Sequence, residues 1–414
     1  MDRRYLVLGM GALAAVAVGA TSFAIANQTR KPAVAMAVGV PPQGLAQAGV
    51  ARALYGSRLV KNPKARPGAP ERRLAERAFA AEPMAANALP ILIAGLAADG
   101  DRQQSQALLQ LAGKVTRRDR LINAMLIDEE LPKNRPDRVI KLFDRAMAVS
   151  TEVRSFYLER LATATLNPAA IQALAPMLGR APDWADEYWA AALRFSQAVP
   201  QVGELRLRIT RPPWNQRKPL ETDALLVSRL VESSQYDIAS DLARALGLKT
   251  TLGDSLVNPD FSQVPRFSPV DWEMMQSGEI GVSIDPAKGS LLLSSLPSSS
   301  GVAVRQITAL TPGRYQLSWK LAGLKASPGA ELRYRLSCTD LGISGGKSAD
   351  SGRLAEGVGS QTINLPASPC RWYWFEVELD ATNVDSGVDI TLDQLSLQRQ
   401  VAGSSRPARL PARN

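Results

Sequence analysis

The spacing of apolar residues changes along this chain at about Asn258. From Glu71 to Leu248 they recur at intervals of three and four, which predicts helices. Leu74, Ala78 and Phe79 share one face, as do Leu89, Leu92, Ile93 and Leu96, and Ala107, Leu108 and Leu111. Val139-Ile140-Phe143-Met147, Ile171-Leu174-Met177-Leu178 and Leu225-Leu226-Leu230 continue the pattern, and Tyr236-Ile238-Ala239-Leu242-Ala243 closes it. Beyond Asn258 the period becomes two. Short runs at Ser290–Leu293, Gly301–Ile307, Tyr315–Leu321, Glu331–Cys338, Gln361–Leu365, Trp372–Leu379 and Val388–Leu397 are separated by Gly, Pro and Ser, which predicts an antiparallel sandwich or barrel.

Ahead of both regions, Tyr5–Ala26 runs without a charge behind Arg3 and Arg4. About 20 apolar residues suffice to cross a bilayer as a helix. Two readings stand: an uncleaved anchor with the arginines on the cytoplasmic side, or a signal peptide cut after Ala24-Ile25-Ala26. Either places the remainder outside the cytoplasm. The expected organisation is therefore multidomain, α plus all-β. Residues 1–26 form a signal anchor or signal peptide, 27–70 a proline-rich linker with one short helix near Leu45–Val60, and 71–250 helical repeats. Residues 256–400 form a β-sandwich and 401–414 a disordered basic tail.

The helical region resembles tetratricopeptide repeats at Ala97-Ala98-Asp99-Gly100-Asp101 followed by Ala107-Leu108-Leu109, and again at the turn Glu232–Gln235, although no 34-residue period persists. That resemblance implies an α-solenoid holding a protein partner. The Arg211-Pro212-Pro213-Trp214-Asn215 stretch interrupts it as an exposed loop. The second region resembles jelly-roll carbohydrate-binding modules. The residues that carry this are Asn258-Pro259-Asp260-Phe261, Val270-Asp271-Trp272, Thr311-Pro312-Gly313-Arg314-Tyr315-Gln316-Leu317-Ser318 and Ile390-Thr391-Leu392-Asp393-Gln394-Leu395-Ser396-Leu397. It implies a jelly-roll fold and contact with a polysaccharide, and fold alone does not fix a ligand.

Alternation assigns faces. Tyr315, Leu317, Trp319 and Leu321 point inward, as do Leu332, Tyr334 and Leu336, and Tyr373, Phe375, Val377 and Leu379. The opposite parity presents Gln316, Ser318 and Lys320, then Arg333 and Arg335, then Trp372, Trp374, Glu376 and Glu378. Indoles beside guanidinium and carboxylate groups suit a sugar, whose apolar ring face stacks while its hydroxyls take hydrogen bonds. Trp372, Trp374, Glu376, Glu378, Arg333 and Arg335 are thus the candidate sugar ligands. Packing of the two indoles beneath the helical region, or plain cross-strand ion pairs, account for the same pattern.

The net charge of +10 is spread along the chain and builds no basic stripe, so no nucleic-acid partner is expected. There is no histidine, which removes the commonest general base and metal ligand. Two cysteines, Cys338 and Cys370, are too few for a structural zinc site and in an exported protein suggest one disulfide. Their opposite strand parities would call for a bulge near Pro369. No phosphate loop, nucleophile elbow or cofactor motif occurs. Glu376 and Glu378, about 7 Å apart at Cα, are the one carboxylate pair to consider for glycosidase or lyase chemistry. The expectation is a non-catalytic, cofactor-free scaffold of the bacterial inner membrane. Its bulk lies in the periplasm, held by residues 5–26, and serves surface polysaccharide assembly or export. A purely protein-binding scaffold is the alternative.

Overall fold

A computed structural model describes residues 3–41, 43–133, 135–251, 253–339, 348–367 and 370–400, without the side chains of residues 3–12 and 348. The expected basic tail and Pro369 lie outside the described residues. The chain has a helical N-terminal half followed by two antiparallel sheets. It divides into two compact units, Met1–Arg160 and Leu161–Asn414. That division differs from the boundary read between residues 250 and 256: the later helices belong with the sheets.

The first unit holds α1 (Arg3–Asn27), α2 (Pro32–Val38), α3 (Gly44–Lys61), α4 (Ala69–Ala81), α5 (Leu89–Ala98), α6 (Arg102–Val115), α7 (Arg120–Glu130) and α8 (Pro136–Val149); α9 (Arg154–Ala164) carries the boundary. Proline sits in the first turn of α2, α4, α5 and α8, where its missing N–H costs no helical bond. The helix expected near Leu45–Val60 is α3, and α2 and the start of α4 also lie in residues 27–70. Ala48, Ala51 and Tyr55 of α3 share a core with Ala75 and Ala78 of α4 and with Ile91 of α5. Small residues let the backbones approach: a Cβ on Gly44 would lie 2.6 Å from Cβ of Glu82. The Asp99–Asp101 turn forms as the sequence implies, with Gly100 at φ 91° and Asp101 capping α6 by accepting from Gln104 N at 3.0 Å.

Among the described residues no helix is long and apolar enough to cross a membrane, so the transmembrane helix expected from Tyr5–Ala26 is not borne out. The side chains of the first part of that segment lie outside the described residues. Within the rest of α1, Leu13, Val16, Val18, Phe23 and Ile25 are exposed.

The second unit begins with α10 (Pro168–Leu178), α11 (Ala185–Ala192), α12 (Val199–Ile209), α13 (Asp223–Glu232) and α14 (Tyr236–Ala245). Its strands are β1 (Glu273–Met274), β2 (Ile280–Asp285), β3 (Ser290–Ser295), β4 (Ser300–Ala309), β5 (Gly313–Ala322), β6 (Glu331–Cys338), β7 (Ser348–Arg353), β8 (Gly357–Leu365), β9 (Trp372–Asp380) and β10 (Val388–Arg399). One sheet runs β1-β4-β9-β6-β7 and the other β2-β3-β10-β5-β8.

The three predicted apolar rows are buried, as alternation requires. The segments that resemble binding-module landmarks meet in this core. Trp272 is fully buried, its indole N–H donates to Asn258 O at 3.1 Å, and its ring lies 5.7 Å from Phe261 and 6.3 Å from Phe375. Tyr315 donates from its hydroxyl to Thr311 O at 2.9 Å and pins the Pro312-Gly313 turn, where φ of Gly313 is 151°. Trp272, Phe261 and Tyr315 thus build the sandwich core.

Asp254 clips the helix-to-sheet connection to β10. Its carboxylate accepts from Leu256 N and Leu397 N, both at 3.0 Å, and from the Ser396 hydroxyl. Burial is the largest influence and holds the carboxyl above its ordinary value. A raised folded-state value means the contribution to stability is complete below the unfolded value of about 3.9 and is lost as pH rises through the folded one. Asp254→Asn keeps both backbone bonds through Oδ1 and places its amide N–H toward Ser396. The variant is expected to match or exceed the parent at neutral pH and to fall behind it on acidification, as measured by urea midpoints across the carboxylate range. A gap of constant size with pH would show that Asp254 ionises freely.

Candidate functional site at Trp372

Register places the six candidate sugar ligands on the outer face of one sheet. Across β6 and β9, Arg335 faces Glu376 and Arg333 faces Glu378. Arg335 takes both carboxylates, with Nη2 2.8 Å from Glu376 Oε2 and 2.8 Å from Glu378 Oε1. Arg333 pairs with Glu331, which also holds Arg353 at 2.9 Å. On β4, Arg305 binds Glu273 at 2.6 Å and lays its guanidinium 4.5 Å from the ring centroid of half-buried Trp374. The outer face is therefore a ladder of paired charges in which Trp374 is capped and Glu376 and Glu378 share one cation. Gln316, Ser318 and Lys320 sit on β5 in the other sheet and are not brought together with these groups.

Trp372 behaves differently. It opens β9, is 7 % exposed, and packs 5.9 Å from the ring of Tyr236 at the start of α14. Among the described residues its buried indole N–H has no hydrogen-bond partner. A buried N–H without an acceptor costs about 1–3 kcal/mol, so natural structures rarely leave one unused. Trp372, Tyr236, Ser234, Gln235, Asp237 and Thr339 line a recess of ≈ 560 Å³. Its rim is braced by Arg371, 3.0 Å from Asp237, and by the Thr339 hydroxyl donating to Trp372 O at 3.0 Å. A second recess of ≈ 330 Å³ also uses Trp372 as a wall.

The disulfide forms. Cys338 and Cys370 are bonded, with Cα atoms 6.0 Å apart. Strand parity does not constrain Cys370, because it precedes β9 instead of lying on it. The bridge joins the end of β6 to the approach to β9 and so sets Thr339 beside Trp372.

No family model matches this chain, and no curated protein does. Several solved structures do. A family 4 carbohydrate-binding module is 13% identical over 35% of this chain and 100% of its own, with a TM-score of 0.28. A family 61 module, solved with β-1,4-galactotriose, is 16% identical over 36% and 99%, at 0.25. The glycoside hydrolase domain of Endo-D from Streptococcus pneumoniae R6 is 14% identical over 31% and 21%, at 0.21. Scores this low decide nothing about ligand.

Of the predicted residues, Trp372 reaches a recess. Tyr236, Gln235, Asp237 and Thr339 were not legible as site residues, because three of them lie on or beside a helix with no sequence link to β9. Arg371, adjacent to Trp372, offered the one local signal: a cation beside an indole.

Proposed function

We propose that this chain is a non-catalytic, glycan-binding envelope protein whose sugar site is the recess between α14 and β9. The observation that carries this is the polar recess of ≈ 560 Å³ walled by the rings of Trp372 and Tyr236. Tyr236 offers a half-buried ring face, and Ser234, Gln235, Asp237 and Thr339 supply donors and acceptors for sugar hydroxyls. The volume falls within the usual range for small-ligand clefts, about 300–1,000 Å³. Engagement of both Glu376 and Glu378 by one arginine supports binding over hydrolysis, since neither carboxylate is left to donate a proton. The Cys338–Cys370 bond supports a position outside the cytoplasm, in the periplasm. The packed helices, with their tetratricopeptide-like turns, would engage a protein partner, and the two activities together suit surface polysaccharide assembly or export.

The test is affinity electrophoresis of the full chain through gels carrying a panel of neutral and acidic polysaccharides. At least one should retard it. Trp372→Ala and Tyr236→Ala, each of which removes a ring from the recess wall, should each weaken that binding by roughly tenfold. One observation favours a second reading: at 7 % exposure, Trp372 also serves as packing between helix and sheet, as a purely structural scaffold requires. Absence of retardation on every polysaccharide would select that reading.

A further inference from the structure

We propose that the second recess beside Trp372 receives the carboxylate of an acidic sugar, so that the site selects an acidic polysaccharide over a neutral one. This rests on the glycan reading of the first recess. Trp372 is a wall common to both, which sets the two recesses side by side. The second recess is lined by Ser240, Arg244, Thr250, Asp254 and Arg371, among others. Its carboxylate, Asp254, is spent on Leu256 N, Leu397 N and Ser396. The two guanidinium groups are not committed in this way. Arg244 meets Asp241 at 3.0 Å and Arg371 meets Asp237 at 3.0 Å, both in pairs at least half exposed.

Exposed pairs of this kind contribute about 0–1 kcal/mol, so an incoming carboxylate displaces them at little cost. A guanidinium carries five donors in a planar fork that matches a carboxylate, and the hydroxyls of Ser240 and Thr250 suit the remaining sugar oxygens. Arg371 also lies 5.9 Å from the Trp372 ring, which holds cation and aromatic wall together where a uronate presents both a carboxylate and an apolar ring face. The chain's charge of +10 adds long-range attraction to a polyanion.

Calorimetric titration of the full chain with an oligogalacturonate and with its carboxyl-reduced counterpart, of equal length and linkage, tests this. The acidic form should bind about tenfold tighter at low salt, with the gap narrowing as salt rises. Arg244→Gln and Arg371→Gln should each pull the ratio of the two affinities toward one. Both side chains are largely exposed, so both variants should fold. Equal affinity for the two oligosaccharides, or a preference that survives both substitutions, overturns the inference and leaves glycan binding standing. If neither binds the parent chain while neutral polysaccharides retard it in gels, acidic selectivity is wrong and the first recess remains the site. If nothing binds in either assay, both fall.

Discussion

Asp223→Ala is expected to destabilise the second unit by roughly 3–5 kcal/mol, the usual cost of removing one member of a buried ion pair. Arg206 and Asp223 are each 1 % exposed and meet through two bonds of 2.9 Å. Backbone groups of the connecting loop complete the cluster. Arg206 also donates to Gln216 O at 2.9 Å and to Lys218 O at 3.0 Å, while Asp223 accepts from Leu220 N at 2.7 Å. The pair thereby organises the connection between α12 and α13, the stretch whose proline pair marks it in sequence as a loop. Gln216 continues the arrangement by donating to Leu178 O and Gly179 O at 2.8 and 2.7 Å. Trp214 lies so close to Gly179 that a Cβ there would come within 2.1 Å of the indole.

Removing Asp223 strands a cation where water does not reach. Removing both charges, as Arg206→Met with Asp223→Leu, should cost less than the sum of the single changes, because no uncompensated charge remains. Urea denaturation followed by circular dichroism reads both. A single-variant loss below about 1 kcal/mol would mean that the loop opens and hydrates the arginine at little cost.

Why some of this architecture was legible and some was not follows from which force each residue answers to. β5, β6 and β9 alternate cleanly because one face of each meets the core, and their rows could be assigned without coordinates. β7 reads Ser-Ala-Asp-Ser-Gly-Arg and lies at a sheet edge, paired only with β6, so burial writes no pattern into it. Prolines in residues 27–70 hid α2 and the start of α4 but not α3, since a proline that ends one helix and one that starts the next look alike in sequence. The division of the chain was obscured for a related reason. Periodicity changes where helices give way to strands, but packing does not: Asp254 fastens the connection to β10, and Arg371 and Trp372 reach Asp237 and Tyr236 of α14. Parity correctly set Trp372 outward from the sandwich core. That a helix waits there depends on contacts far apart in sequence, which no local pattern records.

Loss of the disulfide should be felt twice, in stability and in ligand affinity. The two cysteines are separated by 32 residues, and closing such a loop stabilises the fold by roughly 3–4 kcal/mol through the entropy of the unfolded chain. The closed segment contains β7 and β8, which form the outer edges of the two sheets, so its release frees both edges at once. The same bond holds the end of β6 against the approach to β9, and Thr339, next to Cys338, donates across that junction to Trp372 O. Opening the bridge therefore loosens two walls of the recess. Cys338→Ser with Cys370→Ser should lower the urea midpoint and, under conditions where the variant is still folded, weaken glycan binding several-fold through lost preorganisation. Reduced parent protein should behave like the variant. A fall in stability with affinity unchanged would make the bridge a staple for the sheet edges alone and would place the walls of the recess under the control of α14.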